Sequence, residues 1–81
     1  MTSVENRLKQ IFSDVFAVSM GEIRGDSSPE TIEAWDSLQH LVLVSAIAEE
    51  FSTLIEPEDG MEMLTFARTL EIVCSLVEGR Q

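Results

Sequence analysis

The sequence has little cysteine, little positive charge and no long apolar run. Its single cysteine, Cys74, cannot form an internal disulfide. The chain also starts without the basic and then apolar segments of a secretion signal, so we expect a cytoplasmic protein. No apolar run approaches the roughly 20 residues that span a bilayer, which predicts a chain that does not insert into a membrane.

Basic residues are scarce beside acidic ones. Five Lys and Arg stand against 15 Asp and Glu, which gives a formal net charge of -10. A protein of this charge repels nucleic-acid phosphates and anionic lipid headgroups, so neither is an expected partner. It attracts proteins that carry basic patches, and this favours protein partners found by electrostatic steering.

The acidic clusters do not form a metal-binding motif. No Asp-x-Asp-x-Asp-Gly run with a closing Glu is present, as the twelve-residue calcium loop would require. One histidine and one cysteine cannot make a structural zinc site. We therefore expect no metal centre.

The first apolar segment and the stretch that follows it differ in pattern. Residues 4–16 repeat apolar side chains at steps of three and four, which predicts a helix behind a Ser3 cap. Residues 18–35 have no sustained period, which predicts a long loop with one short helical turn at Ser28-Pro29-Glu30. Four apolar side chains are expected to pin this loop to the helices: Met20, Ile23, Ile32 and Trp35.

A second helix is predicted from Asp36 or Ser37 to about residue 51. Asp36 is a good N-cap, and Gln39 can reach back to it as in a capping box. On a helical wheel Leu43 lies at the edge of the predicted core face, and five apolar residues lie on that face. These are Leu41, Val44, Ile47, Ala48 and Phe51.

Two shorter helices are predicted near the C-terminus. Pro57 suits the first position of a short third helix. Thr69 is the predicted cap of a fourth helix, and Gly79 lies where a C-terminal glycine cap belongs. Four short helices with one long first connection predict an all-α four-helix bundle, with residues 1–81 as a single domain.

The start of the second helix is the segment richest in chemistry. Asp36-Ser37-Leu38 places a hydroxyl in the first helical turn behind a long loop. Helix N-termini present unpaired N–H groups and a partial positive charge, so they would stabilise a phosphodiester built on Ser37. Asp and Ser are also the commonest helix caps, so for the tripeptide alone an ordinary helix start is the favoured explanation.

In the order of its elements the chain resembles the acyl carrier proteins over essentially its whole length. Trp35-Asp36-Ser37-Leu38 with His40-Leu41 is similar to the stand-alone members of that family. The resemblance implies a bundle of acyl-carrier-protein type, with a long loop before the second helix and a short third helix. It also implies that residues 1–81 form a single acyl carrier domain.

This resemblance also implies a function. Ser37 would be the attachment point of 4′-phosphopantetheine, transferred from coenzyme A by a separate, magnesium-dependent phosphopantetheinyl transferase. The protein would then be a monomeric carrier rather than an enzyme. It would hold acyl intermediates as thioesters for acyl-loading, condensing or acyl-transferring enzymes of fatty acid, polyketide or related specialised biosynthesis.

One face of the second helix is expected to bind those partners. Leu38 and Val42 point away from the predicted core face beside Ser37, and an exposed apolar pair is a docking patch. The other predicted partner-binding residues are Asp36, Glu49 and Glu50. The more acidic relatives often carry carboxylates at three positions that are uncharged here, so apolar contact would contribute more to recognition than in primary fatty-acid carriers. These positions are Gln39, Val42 and Ala48.

Two other functions stay open. An acidic helical adaptor without a prosthetic group would have the same fold. A hydrolase would use Ser37 as nucleophile and His40, three residues later, as base. No glycine elbow or orienting third group accompanies this pair, so we expect a packed or loop-bonded histidine instead. We also expect Trp35 to anchor the loop and Cys74 to be structural.

Overall fold

Four α-helices account for most of residues 3–78, the part of the chain that the computed structural model describes. They are α1 (Val4–Phe16), α2 (Ser37–Glu50), α3 (Pro57–Glu62) and α4 (Phe66–Glu78). No strand occurs within residues 3–78. The prediction of a small, all-α helical bundle is therefore confirmed, while the predicted cap at Gly79 lies outside the described residues.

The first helix forms where its apolar spacing predicts. Ser3 caps it by accepting a hydrogen bond from the Asn6 N–H, with 3.1 Å between Oγ and N. Leu8 and Phe12, four residues apart, are fully buried on its inner face. The helix ends at Ala17, which adopts a left-handed backbone conformation with φ 57°.

The long connection between α1 and α2 is held by apolar side chains, as predicted. Ile23, Ile32 and Trp35 are buried, and Met20 is half-buried. A single turn follows Ser28, whose carbonyl accepts from the Ile32 N–H at 2.8 Å, and it does not continue into a helix. A short 3₁₀ helix at Met20–Glu22 was not predicted.

The core face of α2 differs from the prediction. Leu43 and Ile47 are fully buried, whereas Leu41, assigned to the core from the sequence, is 67% exposed. The prediction for Leu41 was wrong because α2 is apolar on most of its circumference. Its periodicity therefore could not identify the side that packs against the bundle.

Only one of the two hydrogen bonds of the predicted capping box forms at the start of α2. The Asp36 carboxylate accepts from the Gln39 N–H at 2.8 Å, as an N-cap should. The Gln39 side chain does not reach back to Asp36. It donates instead to the Val15 carbonyl at 3.0 Å, which ties the start of α2 to the end of α1.

The fourth helix begins earlier than predicted. It starts at Phe66, and the Thr65 hydroxyl just before it accepts from the Arg68 N–H at 3.1 Å. Thr69, the predicted cap, is fully buried inside the helix, where its hydroxyl donates to the Thr65 carbonyl at 2.7 Å. The predicted cap was thus the right residue type, one helical turn too late.

Loop carbonyls complete the start of α4. The Phe66 N–H donates to the Ser27 carbonyl at 2.9 Å, and the Ala67 N–H donates to the Gly25 carbonyl at 2.9 Å. These bonds satisfy two of the donors that a helix N-terminus leaves open. They also fix the connection between α1 and α2 against the last helix.

Aromatic rings form the centre of the core. The Phe12 ring makes edge-on contacts with the rings of Trp35 and Phe66, at centroid distances of 5.4 Å and 5.0 Å. Phe16 stacks on Trp35 at 5.2 Å. Because these residues come from α1, the connection and α4, the cluster holds the residue immediately before Asp36 in a fixed position.

Candidate functional site

Ser37 is the first residue of α2, as predicted. Its side chain is exposed, and its hydroxyl makes no hydrogen bond with any residue from 3 to 78. Trp35 is buried two residues earlier, so the backbone that presents Ser37 is anchored while the side chain itself is accessible. The structure therefore presents an accessible hydroxyl on a rigid element.

The N–H groups around Ser37 can stabilise an anion. Asp36 satisfies two donors of the helix start, since its side chain bonds the Gln39 N–H and its carbonyl accepts from the His40 N–H at 2.8 Å. The N–H groups of Ser37 and Leu38 have no partner among residues 3–78. Free donors at a helix N-terminus suit a phosphate group attached to the neighbouring hydroxyl.

An open, mainly apolar cleft of about 520 Å³ lies beside Ser37. It runs between the connection that precedes α2 and the end of α3. Its walls are Pro29, Trp35, Asp36, Ser37, His40, Met61 and Leu64. Met61 and Leu64 are exposed at its rim, so the surface directly beside Ser37 is apolar.

The histidine in this cleft joins three elements. The Trp35 indole N–H donates to His40 Nδ1 at 3.0 Å, and His40 Nε2 lies 2.7 Å from the Gly60 carbonyl of α3. An indole nitrogen can only donate, so Nδ1 is the acceptor and the proton resides on Nε2, which donates to Gly60. His40 is thus bonded to the loop, as expected from the sequence, and to α3, which was not foreseen.

This bonding engages both ring nitrogens of His40 with groups other than Ser37. One nitrogen bonds Trp35 and the other bonds Gly60, and neither makes a hydrogen bond with the Ser37 hydroxyl. Within residues 3–78 no cluster of His, Cys, Asp and Glu side chains is arranged to hold a metal ion. A hydrolytic Ser37–His40 pair therefore has no support from the geometry.

Exposed apolar side chains surround Ser37 on α2. Leu38, Leu41 and Val42 are 69%, 67% and 44% exposed. The exposure of Leu38 and Val42 is as predicted, and Leu41, one turn after Ser37, adds to the same surface. We call these three residues the α2 apolar patch. The sequence did not identify Leu41 as part of this surface, because a helical wheel groups it with the core residues of α2.

Two of the predicted partner-binding residues lie far from Ser37. Glu49 and Glu50 are at the other end of α2, about 18 to 20 Å away at 1.5 Å per residue. The Glu50 carboxylate is paired with Arg7, with 2.9 Å between Arg7 Nη2 and Glu50 Oε2. Arg7 also lies over the Phe51 ring at 4.6 Å. The structure therefore gathers Asp36 and the α2 apolar patch near Ser37, but not these two glutamates.

Cys74 has the environment of an unreactive thiol. Burial, together with the negative charges of Glu78 and Glu5, raises the pKa of the Cys74 thiol. Because only the thiolate is nucleophilic, we expect Cys74 to alkylate more slowly near neutral pH than a free cysteine, and to gain reactivity only at higher pH. Rates with iodoacetamide across a pH series, beside N-acetylcysteine, measure this. A rate equal to that of the free amino acid near neutral pH would contradict it.

Comparison with known proteins adds no family assignment. A scan against models of known protein families finds no match to this chain. None of the four helices within residues 3–78 has the length and apolarity that a bilayer crossing requires. Support for a specific function must therefore come from the surroundings of Ser37.

Proposed function

We propose that this protein is an acyl carrier protein whose Ser37 accepts a 4′-phosphopantetheine arm from coenzyme A. The observation that carries the proposal is the accessible Ser37 hydroxyl at the N-terminus of α2, beside an apolar cleft and without a hydrogen-bond partner in the described part of the chain. A carrier needs such a hydroxyl and a docking surface, but no base of its own. Residues 3–78 offer the hydroxyl and the surface, and none of them forms a hydrogen bond with the hydroxyl as a base would.

The attachment reaction needs little from the carrier. The Ser37 oxygen forms a bond to the phosphorus that carries the pantetheine unit. The pyrophosphate bond of coenzyme A breaks, adenosine 3′,5′-bisphosphate leaves, and the hydroxyl proton passes to a base of the transferase. The contribution of this chain is to hold Ser37 in place and to offer the new phosphodiester the N–H groups of Ser37 and Leu38, which have no partner among residues 3–78.

The surroundings of Ser37 suit the arm and its cargo. The arm ends in a thiol that holds acyl groups as thioesters for partner enzymes. Trp35, Met61 and Leu64 give the cleft an apolar lining on which the arm can rest. The α2 apolar patch gives partner enzymes a surface to bind beside the attachment point, and the net charge of -10 favours partners with basic surroundings.

The fold is of acyl-carrier-protein type, and the chain is a cytoplasmic monomer. The partners are a phosphopantetheinyl transferase and enzymes that load, condense or transfer acyl groups in fatty acid, polyketide or related specialised biosynthesis. The proposed partner-binding residues are still Asp36, Leu38, Val42, Glu49 and Glu50, and Leu41 is added to them.

A second candidate is an adaptor of the same fold that binds a protein partner without any prosthetic group. The α2 apolar patch favours it to the same extent, since exposed leucines support docking whether or not Ser37 is modified. The two functions differ in what happens to Ser37.

Intact mass separates the carrier from the adaptor. The protein is incubated with coenzyme A, magnesium and a phosphopantetheinyl transferase of broad specificity. A carrier gains the mass of one phosphopantetheine group and one alkylatable thiol that reacts faster than Cys74. A mass that does not change overturns the carrier proposal and favours the adaptor.

A further inference from the structure

Two hydrogen bonds of His40 lie at the floor of the cleft beside Ser37, which is formed by its least exposed lining residues, Trp35 and His40. His40 projects from α2, accepts from the Trp35 indole and donates to the Gly60 carbonyl across the gap between α2 and α3. Its ring also lies parallel to the indole, with 11° between the two planes. One side chain therefore connects Trp35, which lines the cleft, with the α3 backbone immediately before Met61, which also lines it.

Behind His40 the two helices are in direct contact. Gly60 is buried, and a Cβ at this position would lie 3.6 Å from Val44 Cγ2, so the α3 backbone packs against the next turn of α2. Leu43 and Met63 lie in the core and are fully buried. The cleft is not lined by Val44, Leu43 or Met63. Its least exposed lining residues are His40 and Trp35.

We infer that the His40–Gly60 hydrogen bond blocks the passage from the cleft into the core. The inference rests on the proposed function, because it concerns the acyl chain that a carrier would hold at Ser37. With the passage blocked, the chain lies in the open cleft against Met61 and Leu64 and does not enter the bundle. His40 is then the residue that limits how deeply cargo is buried, and partner enzymes receive a chain that is already accessible.

Thermal stability reports where the chain lies. A methylene group that moves from water into a protein core raises the midpoint of unfolding of a domain this small by roughly 3–6 °C. A chain in an open cleft stays largely in water and gains little from extra methylenes. If the floor of the cleft is closed, the midpoint of unfolding should hardly depend on the length of the acyl chain. If the floor is open, the midpoint should rise as the acyl chain becomes longer.

Four proteins make the test: wild type, His40→Ala, His40→Gln and Gln39→Ala. His40→Ala removes both hydrogen bonds, whereas the His40→Gln amide can still donate to the Gly60 carbonyl. Gln39→Ala is the matched control, because it also removes one side-chain bond between α2 and another element, but on the α1 side. Each protein is loaded from butanoyl- or dodecanoyl-coenzyme A by a permissive transferase, checked by intact mass, and melted by circular dichroism.

We expect the two acyl forms of wild type, His40→Gln and Gln39→Ala to differ by less than the effect of one buried methylene, roughly 3 °C. In His40→Ala the dodecanoyl form should melt at least roughly 6 °C above the butanoyl form, as for two or more buried methylenes.

A wild-type midpoint that rises with chain length overturns the inference, and this holds even if His40→Ala does not fold. Equal midpoints in a folded His40→Ala overturn the role of His40. Wild type that gains no acyl mass overturns the proposed function, and the inference with it.

Discussion

Trp35→Ala is expected to lower the free energy of unfolding by about 3–5 kcal/mol, the usual loss for a fully buried aromatic residue. The indole packs against Phe12 and Phe16 and donates to His40, so its removal leaves a cavity in the core and an unpaired ring nitrogen on His40. A domain of this size has a total stability of roughly 4–12 kcal/mol, so the loss is a large part of it. Urea titration followed by far-ultraviolet circular dichroism measures the change.

Two further variants make the Trp35 result specific. Leu54→Ala truncates a side chain that is 78% exposed, and it should change stability by no more than about 0.5 kcal/mol. Trp35→Phe keeps an aromatic ring in the cluster but removes the N–H that His40 accepts, so its loss should lie between those of the other two. A Trp35→Ala change below about 1 kcal/mol would mean that the aromatic cluster does not anchor the loop.

Replacing Leu38 and Leu41 together with alanine should reduce kcat/KM for the phosphopantetheinyl transferase by roughly 10- to 30-fold. That range corresponds to the loss of about 1.4–2 kcal/mol that truncation of central interface residues produces. Both leucines are mostly exposed and lie beside Ser37, so a partner that reaches the hydroxyl must cover them. The thermal midpoint should be nearly unchanged because little apolar surface leaves the core.

Leu54 again supplies the control for this patch. It is even more exposed than Leu38 and Leu41, but it lies beyond the far end of α2. Leu54→Ala should therefore leave kcat/KM unchanged. A double variant that melts early would show that the leucines belong to the core, and one with unaltered kinetics would show that the transferase docks elsewhere.

Helix α1 shows which features of the fold can be predicted from sequence alone. Its apolar residues occupy one stripe, and its Ser3 cap is a local signal, so both the bounds and the buried face were correct. The position of Ser37 was predictable for the same reason, since the Asp36 cap and the preceding unpatterned loop are local features. These local signals establish where the candidate site begins.

The buried face of α2 was harder to predict because its sequence allows more than one answer. Apolar residues occupy most sides of the helix, so the wheel gave no preference strong enough to separate Leu41 from Leu43. Packing against the other helices decides the matter, and it buries Leu43 and leaves Leu41 in solvent. The correction enlarges the candidate docking surface beside Ser37.

Long-range hydrogen bonds were also invisible in the sequence. The start of α4 depends on the Ser27 and Gly25 carbonyls, some forty residues earlier in the chain. The bond from His40 to Gly60 likewise joins residues that are 20 positions apart. Such contacts depend on the assembled bundle, and they include the one that closes the floor of the cleft.

The carrier function requires that Ser37, and no other serine, receives the phosphopantetheine arm. Ser45 offers a matched comparison, because it is also exposed on α2 but lies in the middle of the helix, away from the free N–H groups and the cleft. The most direct measurement is the intact mass of wild type, Ser37→Ala and Ser45→Ala after identical incubation with coenzyme A, magnesium and a permissive transferase. The carrier function predicts one added phosphopantetheine group on wild type and on Ser45→Ala, and none on Ser37→Ala. An unchanged wild-type mass, or an equal gain by Ser37→Ala, would contradict it.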